Sequence, residues 1–151
     1  WKQAQVRYRR MLEAGGEHLS TGQRAYLDFV IANCDAMQGR VTEAEKQLRR
    51  FLEDADYART PTWPRAVLII ACSYAEGASR YPLLKLVAER ASGHPLGNQA
   101  LLVLAQDYYA LGRWEASKAT FEKLQSRSPR PWRAIIARRF LRDLDQKLSS
   151  P

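Results

Sequence analysis

Apolar residues recur at helical spacing from one end of the chain to the other, and no stretch alternates as a strand would. Leu101, Leu104, Ala105 and Tyr108 make one face of a helix, with Asn98 placed as its N-cap and Gly112 as its stop. A second helix is predicted from about Trp114 to Gln125, with Ala116, Ala119, Phe121 and Leu124 inward and Ser128-Pro129 ending it. The same layout precedes it by 34 residues. Pro64 sits in a first turn, and Val67, Leu68, Ile70, Ala71 and Tyr74 follow on one face. Gly77-Ala78-Ser79 make the turn, and Tyr81 to Ala91 form the second helix.

Residues 25–58 repeat the plan more weakly, with Asp28, Ile31, Ala32 and Asp35 on the first helix, Gly39 at the turn, and Ala44, Leu48 and Phe51 on the second. An insert, Arg59 to Trp63, separates this unit from the next. Residues 1–17 read as a lone second helix, because Trp1, Ala4, Tyr8 and Met11 match Trp114, Ser117, Phe121 and Leu124 in spacing. Residues 132–148 read as one more helix, with an apolar stripe of Ile135, Ile136, Phe140, Leu141 and Leu144. Arg138, Arg139, Arg142 and Lys147 form its polar face, as expected of a capping helix. The expected fold is therefore all-α, with about eight helices: one orphan, three pairs at 25–58, 64–97 and 98–131, and a cap.

The 98–131 unit closely resembles a tetratricopeptide repeat. The residues that carry the likeness are Leu101, Leu104-Ala105, Tyr108, Gly112, Trp114, Ser117, Phe121, Leu124 and Pro129. Leu101 replaces the usual Trp, and Ser117 the usual Ala. The 64–97 unit departs further, with Ala78 at the turn and Arg90 at a core position, and the 25–58 unit has Asp35 where Tyr is expected. The resemblance covers essentially the whole chain as one domain. It implies a right-handed superhelical array of antiparallel helix pairs, an α-solenoid that binds other proteins without catalysis.

It also implies a concave groove lined by first-helix residues. By position these are Tyr26, Phe29, Val30, Asn33 and Met37, then Arg65, Leu68, Ile69, Cys72 and Glu76, then Gln99, Leu102, Val103, Gln106 and Tyr109. Arg133, Ile136 and Phe140 extend it into the cap. So apolar a lining suits a peptide or amphipathic helix, directed by Asn33, Arg65, Gln99, Gln106 and Arg133. The family's clamp for acidic chaperone tails is not expected. Asn33 matches one clamp position, but Phe29, Ile69, Gln99 and Val103 stand where cationic or amide donors are wanted. Tetratricopeptide domains of bacteria often serve envelope machinery such as exopolysaccharide export or pilus assembly, which suggests a setting.

Charge adds a rival. The chain carries a net charge of +8, spread along its length except over 25–58, where seven acidic side chains face four basic ones. Arg127, Arg130, Arg138, Arg139 and Arg142 cluster near the C-terminus around Trp132. They support an alternative in which a basic helical array binds nucleic acid, another polyanion or an anionic membrane. Asp143 and Asp145 dilute the cluster and no nucleic-acid fold motif is present, which argues against nucleic acid. Self-association through the orphan N-terminal helix is a third route.

Catalytic and metal chemistry find no foothold in the pattern. His18 and His94 sit in linkers, where capping explains them, and no Gly-rich phosphate loop or acid–base constellation is present. A non-enzyme without cofactor or metal is expected. Cys34 and Cys72 form no CxxC pair and are expected to be buried or half-buried thiols in a reducing compartment. The longest apolar run, Ala66 to Cys72, is too short to cross a bilayer. The chain opens at Trp1 in mid-pattern and reads as a fragment of a longer protein. A cytoplasmic domain is expected, with any membrane contact made through a missing segment.

Overall fold

The computed structural model describes residues 1–127 and 131–149; Ser128, Pro129, Arg130, Ser150 and Pro151 lie outside the described residues. Among the described residues eight α-helices follow one another: α1 Lys2–Gly15, α2 Thr21–Met37, α3 Val41–Glu53, α4 Trp63–Ile69, α5 Arg80–Arg90, α6 Pro95–Ala110, α7 Trp114–Arg127 and α8 Pro131–Ser149. A π turn, Ile70–Tyr74, continues α4. No strand occurs among the described residues. The chain packs as two compact units, Trp1–Gly77 and Ala78–Pro151.

In the first unit α1 packs on α2, α2 on α3, and α3 on α4 and its π turn. Helix α2 starts at a capping box. The Ser20 side chain accepts from the Gln23 backbone N–H, and Gln23 reaches back to the Ser20 N–H at 2.9 Å. Gly39, at φ 79°, makes the left-handed turn into α3. Ala25, Ala32, Ala44, Leu48 and Phe51 form the core. The Arg59–Trp63 insert is more than a linker, because Trp63 is buried and begins α4. Just before it, Tyr57 packs on Phe51 with ring centroids 5.1 Å apart.

The orphan helix α1 departs from expectation. Trp1 and Met11 are exposed, Ala4 and Tyr8 half-buried, and Gln5 is the one buried side chain. Gln5 donates to Asp35 at 2.7 Å and accepts from Arg40 at 2.7 Å. Asp35, only 1% exposed, also receives Arg40 Nε at 2.6 Å and Gln47 Nε2 at 2.9 Å, with Arg9 at 3.7 Å. Burial pushes its carboxyl up. The hydrogen bonds from Gln5, Arg40 and Gln47 and the Arg40 charge more than offset that, and leave its pKa below the usual value.

In the second unit α5 packs on α6, α6 on α7 and α7 on α8. Asn98 is not the N-cap of α6. The helix begins at Pro95, and His94 caps it by accepting from the Leu96 N–H. Proline suits a first-turn position, so the start moves upstream. Asn98 is left buried within the helix, its Oδ1 without a partner. Gly97 is there for space, since a Cβ would come within 2.1 Å of the Ala91 carbonyl oxygen. Gly112, at φ 69°, makes the short turn into α7 as predicted. Across that turn the Ser117 hydroxyl donates to the Ala105 carbonyl at 2.9 Å.

Three more expectations give way here. Ser117, Phe121 and Leu124 form the inner face of α7, while Ala116 and Ala119 are exposed. Arg90 is exposed; the core of α5 is Leu84, Val87 and Ala88. On α8, Ala137 and Leu144 are fully buried, and Ile136, Phe140 and Leu141 half-buried. Ile135 is exposed, because the helix lies with the Ala137–Leu144 line down. Phe140 stacks on Phe121 at 4.7 Å and meets Tyr109 edge-on at 5.0 Å, while Tyr109 also contacts Trp114 at 5.3 Å. These four rings fasten α8 to α6 and α7.

Candidate binding cleft on the second unit

Helix α6 carries Gln99, Val103, Gln106 and Tyr109 on one side, one helical turn or so apart. Helix α8 meets that side at a fixed offset. Arg133 donates to Gln99 at 3.3 Å, and the Tyr109 hydroxyl donates to Asp143. Both pairs are 34 residues apart, one repeat length. Positions 34 residues apart on α6 and α8 therefore stand side by side. Between the two bonds lies a cleft of about 440 Å³, lined by Gln106, Tyr109, Ile136, Arg139, Phe140 and Asp143.

The electrostatics are mixed. The Asp143 hydrogen bond, and lesser desolvation, raise the Tyr109 pKa above the usual phenol value. Arg139 is exposed at the rim. Ile136 and Phe140 supply the apolar floor. Arg133, 5% exposed, is a buried part of the wall rather than a presented guanidinium, and packs over Trp132 at 4.8 Å. The arrangement offers an apolar strip with an amide at Gln106 and a cation at Arg139.

The first unit holds the remaining groove residues. Tyr26 and Met37 are exposed, and Val30 is half-buried. Phe29 is 7% exposed and belongs to the core, which corrects its place in the groove. Asn33 donates to the Phe29 carbonyl of its own helix at 2.8 Å. On α4 and its π turn, Arg65 is exposed and Ile69 half-buried. Cys72 is exposed, against the expectation of a buried thiol, while Cys34 is buried. Cys72 lies in the π turn, next to the buried Ile70 and Ala71.

The basic cluster is divided. Arg127 is half-buried and donates to the Ala88 carbonyl at 3.1 Å, so it ties α7 to α5. Arg139 belongs to the cleft, whereas Arg138 and Arg142 line a depression on another side of α8. Arg130 lies outside the described residues. Asp143 was missed as a lining residue, although counting one repeat on from Tyr109 reaches it. Among the described residues, no three His, Cys, Asp or Glu side chains come together as a metal site, and no helix is long and apolar enough to cross a membrane. No family model, curated protein or solved structure matches this chain.

Proposed function

We propose that the chain is a tetratricopeptide-type interaction module and that the α6–α8 cleft holds a segment of a partner protein. The observation that carries this reading is the pair of hydrogen bonds at one-repeat spacing, Gln99–Arg133 and Tyr109–Asp143, with an open apolar strip between them. Recurrence of burial supports it. Ala32, Ala71 and Ala105 hold the same repeat position and are all 0% exposed, and Leu48, Val87 and Phe121 hold another and are at most 1% exposed. Helices stacked in this way bury one face and leave first-helix side chains to a ligand. The occupant is an extended or helical peptide with an apolar anchor for Ile136 and Phe140 and a carboxylate or carbonyl for Arg139.

Peptide display tests it. Peptides selected on the wild type should lose about tenfold in affinity to Gln106→Arg or Ile136→Glu, each checked for helix content. Their binding should fall only modestly with salt, unlike a polyanion complex. Selected peptides indifferent to both substitutions would sink the cleft as the binding site.

A further inference from the structure

Positions 136, 139, 140 and 143 face the cleft, and positions 135, 138, 142 and 145 fall on another side of α8. That second side is open and mixes apolar with charged side chains. Ile135 is 58% exposed. Ile135, Arg138, Leu141, Arg142 and Asp145 line an open depression of about 480 Å³. Asp145 accepts from Lys118 at 2.5 Å, so its charge is offset within the chain. Arg138 donates to the Ala134 carbonyl of its own helix at 3.3 Å, which leaves its charge uncompensated. Among the described residues, neither Arg138 nor Arg142 pairs with a carboxylate.

We propose that this face docks an acidic amphipathic helix of a partner protein, separately from the cleft. Arg138 and Arg142 stand about 6 Å apart along the helix axis. Two carboxylates at positions i and i+4 of a facing helix match that spacing. Ile135 and Leu141 bracket Arg138 and give the partner's leucine-type side chains an apolar seat. A second copy of this chain fits worse. It carries +8 overall, and the same faces would bring Arg138 and Arg142 of both copies together. With the cleft on a different side, one α8 then joins two partners.

Fluorescence anisotropy tests this with two labelled model peptides. Both carry the same leucine stripe at i, i+3 and i+7 spacing, one flanked by glutamates and the other by lysines. At low salt the glutamate peptide should bind about tenfold tighter than the lysine peptide. The double variant Arg138→Glu/Arg142→Glu, both positions exposed, should keep its helix content and invert the preference. Ile135→Asp should weaken the glutamate peptide further. Equal binding of the two peptides, or binding of neither, would overturn the proposal. So would loss of binding on Ile136→Glu with none on the arginine reversals, which puts the peptide in the cleft. Self-association of the protein that Ile135→Asp abolishes would assign the face to a second copy and overturn it as well.

Discussion

Helix α1 buries a single side chain, the polar Gln5, whereas α8 buries Ala137 and Leu144 and stacks Phe140 on Phe121. Each is the outermost helix of its unit in sequence, yet α1 is held mainly by directed hydrogen bonds, whereas α8 adds apolar area and stacked rings to its hydrogen bonds with Gln99, Tyr109 and Lys118. The position that receives α1 shows where its hydrogen bonds come from, by contrast with the position that receives α5. Asp35 and Tyr108 occupy the same place in their repeats, and both are buried. Tyr108 packs as a ring, with Tyr81 at 5.5 Å. A carboxylate at that place cannot pack and must be satisfied, so Gln5, Arg40 and Gln47 gather around it. The first arrangement fixes one orientation of α1 and depends on every partner. The second tolerates small shifts and depends on volume.

The largest effect expected is at Phe121, which is fully buried under α8. Phe121→Ala should cost about 4 kcal/mol through lost transfer energy and a cavity. Hydrogen exchange should then rise through α6–α8 and leave α1–α3 unchanged. If α8 stayed protected, the aromatic account of its attachment would fail.

Asp35→Ala should cost about 2 kcal/mol, because Gln5, Gln47 and Arg40 lose their shared acceptor. The exchange rates to watch are those of α1. Its pH dependence has a definite sign. The folded pKa is depressed, so the stabilisation is present above the ordinary carboxyl value of 3.8 and is lost as pH falls through the folded value below it. The gap in urea midpoint between wild type and Asp35→Ala should therefore be constant near neutrality and close in strong acid. A gap that closed between pH 5 and 7 would contradict the network.

Gln5→Ala is expected to cost about 1 kcal/mol and to free α1 while leaving α2 and α3 folded. Smallest is Lys147→Gln. The Lys147 ammonium lies 5.0 Å from the Trp114 ring centre and 5.8 Å from that of Tyr109, an exposed contact worth about 0.5 kcal/mol. A loss of several times that would mean that the end of α8 depends on charge as α1 does, and would narrow the contrast.

The helices were legible because the period was. Gly39 and Gly112 mark turns through the left-handed backbone they adopt, and the alanines at 32, 71 and 105 mark fully buried positions of the first helices. Four of the six residues that line the cleft were legible too: Gln106 and Tyr109, with Ile136 and Phe140. The errors share a cause. A 3.6-residue period draws an apolar stripe wider than the contact it serves, so it could not separate Ser117 from Ala116, or Leu144 from Ile135. Nor could it show that Phe29 turns inward, or that Asp35 is buried, because both depend on which neighbour covers the helix.

By itself, then, the sequence determined where the helices lie, which turns join them and the one-repeat offset that relates them, since these follow from local propensity and spacing. Only the tertiary structure decided that Asp35 is enclosed by Gln5, Arg40 and Gln47, that Arg133 is wall rather than ligand, and that the C-terminal arginines part between a cleft and an open face. Those outcomes depend on how far each helix rolls about its axis against its neighbour. Side-chain volume and hydrogen-bond satisfaction across the contact set that rotation.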